Sequence, residues 1–112
     1  MKYVVTAALA ALMFSSTAEA ATGYASYYKM GRRTASGERF SPMGLTCAHR
    51  NLPFGTKLKV TNVKTGRSVV VRVNDRGPFV RSRVLDLSLG AAQVIGLTAM
   101  GIGKISYEVV NR

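Results

Sequence analysis

Between residues 21 and 112 the chain holds four carboxylates (Glu38, Asp75, Asp86 and Glu108), one histidine (His49) and one cysteine (Cys47). Proton transfer is therefore open to very few groups, and Asp75 is the best placed of them. It ends the β-branched run Val69-Val70-Val71-Arg72-Val73-Asn74 and precedes Arg76-Gly77-Pro78. Gly-Pro cannot continue a central strand, so Asp75 is expected where ordered sheet gives way to loop. Side chains at such junctions are displayed from a rigid base. The structural alternative is that an Asp between Asn74 and Gly77 accepts backbone hydrogen bonds in its own turn. A neighbouring cation favours the charged form of a carboxyl and burial favours the neutral form. An acid role for Asp75 thus requires the Arg76 guanidinium to point away, toward a partner such as Asp86 or toward substrate.

His49 titrates near neutrality and can orient a carboxylate or shuttle a proton, although a lone histidine is often only a satisfied structural group. Cys47 stands two residues earlier and would share its strand face, which invites a Cys-His peptidase reading. No third orienting group is evident, and Cys47 reads as a small buried apolar residue. A single cysteine forms no intramolecular disulfide, and one His, one Cys and few carboxylates do not assemble a zinc set. No metal or cofactor is implied. Glu38 lies in a polar loop, where the ordinary fate of a glutamate is solvation. Asp86, before Leu87-Ser88, reads as structural, able to pair with Arg76 or Arg83. Asp75 and Asp86 each close a strand in two loosely similar halves.

The elements that must position these groups are short. Residues 1–20 have the layout of an export signal: Lys2, an apolar stretch over 3–14, and small residues ending Ala18-Glu19-Ala20. The apolar stretch is too short to span a membrane, and no lipidation Cys follows it. The expected mature product, residues 21–112, is one small domain without a stable membrane anchor, periplasmic or secreted, and a monomer. Strands are predicted over 23–28, 45–49, 57–63, 67–74, 84–87 and 104–110, with a hairpin turn at Lys64-Thr65-Gly66. Ser88 is expected to cap a short helix over 89–95 that stops at Gly96. The loop over 29–44 is too long to be mere connection. This is an all-β pattern of about six strands with one short helix, and a closed barrel removes its edges.

The net charge of +11 attracts polyanions. In the cytoplasm that would point to nucleic acid; export redirects it to an envelope polymer and excludes nucleic acid as the partner. Spread positive charge that serves only solubility is the alternative.

Gly23-Tyr24-Ala25-Ser26-Tyr27-Tyr28, Thr34-Ala35-Ser36-Gly37-Glu38, Ala48-His49, Leu52-Pro53-Phe54-Gly55-Thr56, Val60-Thr61-Asn62, Asn74-Asp75-Arg76-Gly77-Pro78 and Asp86-Leu87-Ser88 occur in the order found in the rare lipoprotein A family, which the chain resembles over nearly all of residues 21–112. Several ordered motifs are a specific signal. The resemblance implies a six-stranded double-psi β-barrel, shared with expansins. It also implies endolytic lytic transglycosylase activity on peptidoglycan glycan strands, with a preference for strands lacking stem peptides and anhydro-muramic acid ends as products. It places a functional Asp at Asp75, as general acid and base, with Glu38 and His49 as catalytic partners. The family's lipidation Cys and C-terminal peptidoglycan-binding repeat are not written in this sequence, and Cys47 replaces a usual Ala.

Glycoside hydrolysis needs two carboxyl groups, whereas a lytic transglycosylase, whose nucleophile is the sugar's own C6 hydroxyl, can work with one. Arg32, Arg33, Arg76, Arg81 and Arg83 are expected to bind substrate, since a stripped strand exposes a row of lactyl carboxylates that arginine grips as a fork. Tyr28 is the favoured aromatic for the groove. Two other readings stand beside this one: a non-catalytic, expansin-like wall-binding or wall-loosening module, and a water-using glycosidase with Asp75 and Glu38 as its pair.

Overall fold

The computed structural model describes residues 20–111. The expected export signal lies outside the described residues, apart from Ala20, which opens the first strand. The strands are β1 (Ala20–Tyr28), β2 (Thr46–Ala48), β3 (Lys57–Asn62), β4 (Ser68–Asp75), β5 (Arg83–Ser88) and β6 (Gly103–Asn111), with one helix, α1 (Leu89–Val94). They close into a barrel in the order β1-β5-β2-β4-β3-β6. The expected all-β, six-stranded, one-helix architecture is the observed one, with boundaries moved by up to three residues.

β6 completes the closure by pairing antiparallel with both β1 and β3. Two pairs are parallel, β1 with β5 and β2 with β4. The chain leaves β1 through the long loop 29–45, which leads to β2, and leaves β4 through the loop 76–82, which leads to β5; in neither case are the joined strands neighbours in the barrel. The two loops leave the barrel at opposite ends, and the loop 29–45 folds back along β4 to reach Asp75, where the loop 76–82 begins.

Alternation along β4 sorts its β-branched run: Val69, Val71 and Val73 are buried, while Val70 faces out. They meet Leu58 and Val60 of β3, Leu85 and Leu87 of β5 and Ile105 of β6. Ala91 and Ala92 of α1, followed by Ile95 and Leu97, close the core from one side. Cys47 is fully buried within this cluster, and burial, aided by the charge of Asp86, pushes its thiol up to about 12. It is inert as a nucleophile at neutral pH.

Ser88 caps α1 as expected, accepting from the Ala91 N–H, and its hydroxyl donates to the Gly44 carbonyl. The long loop is thereby tied to the helix start. Gly90 allows that approach, because a Cβ there would lie 2.6 Å from the Met43 carbonyl oxygen.

Asn62, at the end of β3, is fully buried. Its Oδ1 accepts the Lys64 and Thr65 N–H groups of the β3–β4 turn, and its Nδ2 donates to the Ile95 carbonyl (2.9 Å). One amide thus joins the hairpin to the end of α1. Leaving such groups unpaired costs about 1–3 kcal/mol. Asn62→Ala is expected to lower stability by about 2 kcal/mol, read as a drop in the urea midpoint with an unchanged slope.

Candidate functional site

Asp75 closes β4 because Gly77 adopts φ 122°, a left-handed region that favours glycine, and Pro78 has no N–H to extend the ladder. Its Oδ1 accepts two backbone N–H groups, from Ala35 (2.9 Å) and from Arg76 (2.8 Å). Its Oδ2 has only a long 3.5 Å contact, to the Tyr28 hydroxyl. Oδ1 is thus the pinned oxygen, and Oδ2 is the one left open to a further donor. The Tyr28 phenol is pushed up first by burial and then by the Asp75 charge. It stays protonated and faces Oδ2 as a donor.

The Ala35 N–H reaches Asp75 because the loop 29–45 is strapped across the end of β4. Residues Thr34 and Gly37 close a tight turn, with Gly37 at φ 91° and Arg33 bridging to Arg39. The Ser36 N–H donates to the Asn74 carbonyl at 3.2 Å. Glu38 fastens the strap: Oε2 takes Arg72 Nη2 and Oε1 takes Asn74 Nδ2, both at 2.7 Å. These bonds, Arg72 foremost, hold the Glu38 carboxyl below the usual carboxylate range.

The His49 ring is engaged at both nitrogens. Nδ1 accepts from the N–H groups of Asn51 (3.2 Å) and Leu52 (3.1 Å), so the proton sits on Nε2, which lies 2.9 Å from the Tyr107 hydroxyl. Burial, and then the Arg76 and Arg50 charges, hold the imidazole below its ordinary value. Glu38 and His49, expected side by side, share no hydrogen bond; the first grips the outward face of β4 and the second a turn beyond β2. His49 approaches Asp75 only through its backbone, donating N–H to the Asp75 carbonyl at 3.2 Å.

Arg76 turns its guanidinium away from Asp75. Nη1 donates to the His49 and Leu52 carbonyls at 3.2 and 2.8 Å, and the guanidinium carbon lies 4.0 Å from the Phe54 ring centre. Its partners are backbone oxygens and a ring, not Asp86. Arg50 makes the reverse connection, gripping the carbonyls of Pro78 (2.9 Å), Val80 (2.7 Å), Arg81 (3.5 Å) and Arg83 (2.6 Å). Arg50, in the segment after β2, and Arg76, in the loop after β4, therefore each hold carbonyls of the other's segment.

Asp86 lies within β5, not at its end, and accepts the Ser26 hydroxyl (2.5 Å), which in turn accepts from Arg83 (2.7 Å). Arg83 thus reaches Asp86 through Ser26.

The barrel order and this strand-end carboxylate coincide with a family match: residues 20–107 fit the model described as lytic transglycolase. The chain belongs to that double-psi β-barrel family. A Nostoc sp. relative, "Probable endolytic peptidoglycan transglycosylase RlpA", is 56% identical over 95 residues, 80% of this chain and 26% of the relative. The Campylobacter jejuni "Endolytic peptidoglycan transglycosylase RlpA" is 48% identical over 83% of this chain and 35% of its own. The chain thus spans about a quarter to a third of the length of these relatives. Among solved structures, a mutant Clavibacter michiganensis expansin in complex with cellohexaose superposes with a TM-score of 0.67 at 25% identity, covering 83% of this chain and 51% of that one.

In this lytic transglycolase-family barrel the expected substrate-binding arginines divide. Arg76 and Arg83 are engaged internally. Arg32 and Arg33 line an open depression of about 430 Å³ together with Gly31, Arg39 and Phe40, and Arg33 also donates to the Gly37 carbonyl. Arg81 lies in the exposed loop that Arg50 holds. Tyr28 stacks one face on Phe40, with centroids 4.8 Å apart. Its hydroxyl faces Asp75, and its ring packs on Phe40, which lines the depression. Arg39, Arg50 and Tyr107 escaped the sequence reading; the six-residue spacing of Arg33 and Arg39 around Thr34–Glu38 was the one usable signal, and for Arg50 there was none. No helix among the described residues is long and apolar enough to cross a membrane.

Proposed function

We propose that the protein is a lytic transglycosylase that cuts peptidoglycan glycan strands with Asp75 as sole acid and base. One observation carries this reading. At the end of β4, where the loop 29–45 reaches it, Asp75 presents one oxygen pinned by two N–H groups and one that meets only the distant Tyr28 hydroxyl, whereas both Glu38 oxygens are taken by Arg72 and Asn74. A water-using glycosidase needs a second carboxyl group facing the bond, and lytic cleavage does not. In the first step Asp75 Oδ2 gives its proton to the glycosidic oxygen as the C1–O bond breaks. The muramic acid C6 hydroxyl then attacks C1, closes the 1,6-anhydro ring and passes its proton to Oδ2, which restores the acid.

Glu38 enters as a positioning residue: its grip on Arg72 and Asn74 fixes the strap that delivers the Ala35 N–H. His49 holds the turn that receives Arg76, so that the guanidinium stays off the reactive oxygen. The depression lined by Arg32, Arg33 and Arg39 supports a preference for strands whose lactyl carboxylates are freed of stem peptides. Export to the periplasm or cell exterior, as a monomer, accompanies this reading.

The expansin likeness favours a second reading, in which the barrel binds wall glycan without cutting it. Digestion of amidase-stripped strands, with mass analysis of product ends, separates these. Anhydro-muramic ends are expected; reducing ends would establish a hydrolase, and sedimentation with the strands without cleavage would establish a binding module.

A further inference from the structure

Phe79 is 85% exposed, the highest value among the large apolar residues described. It belongs to the loop that Arg50 grips through four carbonyls, and the Arg83 N–H closes the same loop onto the Val80 carbonyl. The ring is therefore displayed by a fastened backbone. It lies beside the strand end: a Cβ placed on Gly77, two residues after Asp75, would be 3.5 Å from it.

Four of the other described aromatic rings have a ring or a cation against them. Tyr28 and Phe40 cover each other, the Arg76 guanidinium lies over Phe54, and Tyr107 meets His49 edge to face. Tyr27 packs against the core. Tyr24 stands four residues back along β1 from Tyr28, roughly 13 Å away. Phe79 is the most exposed of the described aromatics, and its ring lies against Gly77, two residues after Asp75.

We propose that Phe79 is the platform on which a sugar ring of the glycan strand stacks beside Asp75, and that Arg50 is the positioning residue that holds the platform in place. A pyranose presents a flat row of C–H groups, and an aromatic face desolvates and packs against it. Fixing the ring before binding removes the ordering cost that a mobile loop would add. The proposal rests on the reading that a glycan strand lies across Asp75.

The sequence contains no tryptophan, so Phe79→Trp installs a single fluorophore at the platform. In an Asp75→Asn background, which prevents turnover, titration with soluble amidase-stripped strands is expected to shift indole emission to the blue and to saturate. Phe79→Ala in the otherwise native protein is expected to raise KM about 3- to 10-fold with little change in kcat, and Phe79→Tyr to restore it. Arg50→Met, measured well below its melting temperature, is expected to raise KM similarly and to lower the anisotropy of the introduced indole in the unliganded protein. Strands that are cleaved or sedimented normally while the emission stays unmoved, or a native KM in Phe79→Ala, would overturn the platform and leave the proposed activity intact. An unchanged anisotropy with Arg50→Met would overturn the positioning role. Absence of any strand binding by the native protein would overturn the activity and the platform together.

Discussion

Asp75→Asn is expected to lower strand cleavage by at least about 100-fold, within the range that positioned acid–base groups supply, while the barrel stays folded. The amide keeps an oxygen that can accept the Ala35 and Arg76 N–H groups, so the strap over β4 retains its anchor. What is lost is a proton at the position of Oδ2. In the proposed reaction no other carboxylate takes part, so no residual activity from a partner acid is expected. The check is the initial rate of anhydro-ended product formation beside a thermal melt of the same sample. A variant that melts like the native protein and still cleaves at full rate removes Asp75 from the reaction.

His49→Ala is expected to cost about 2–3 kcal/mol, roughly 10–20 °C in Tm. The substitution strands the Asn51 and Leu52 N–H groups, releases Tyr107, and loosens the turn whose carbonyls receive Arg76. The same contacts give a pH dependence of definite sign. A folded imidazole held below its ordinary value of 6.5 binds its proton less readily than in the unfolded chain. Its contribution is therefore complete above that value, begins to fall as the pH drops below it, and is lost as the pH passes through the lowered folded value. Protonation of Nδ1 would expel the two backbone donors. The native urea midpoint should decline between pH 7.5 and 5, and His49→Gln should flatten most of that decline. An NMR titration showing folded His49 at or above the ordinary imidazole value would contradict this account, and would return His49 to the role of proton shuttle.

The local features were legible because their causes are local. The β-branched run with its Gly-Pro stop marked β4 and the mouth position of Asp75. Lys64-Thr65-Gly66 marked the hairpin, and Ser88 and Gly96 bracketed α1. The motif resemblance implied the double-psi barrel but not its strand order, because the parallel pairs β1–β5 and β2–β4 join segments about 25 to 60 residues apart and leave no periodic trace. The arginines show the limit most clearly. A sequence gives the charge of Arg76 and Arg83 but not their partners, and the partners of Arg76 and Arg50 are chiefly main-chain carbonyls, which every residue possesses. Arg76 was thus counted among the substrate cations, and Arg50 was passed over. Glu38 and His49 were picked out as one pair of groups; in the fold they fasten two different segments, a strap and a turn.

The exchange of arginines between the segment 49–52 and the loop 76–83 bears on how the protein can diversify. Arg50 recognises the path of residues 78–83 and not their side chains. Phe79, Val80 and Arg81 can then be replaced over generations while the loop keeps its shape. Barrel and reactive carboxylate would stay constant as the contact surface drifts to suit walls of different composition.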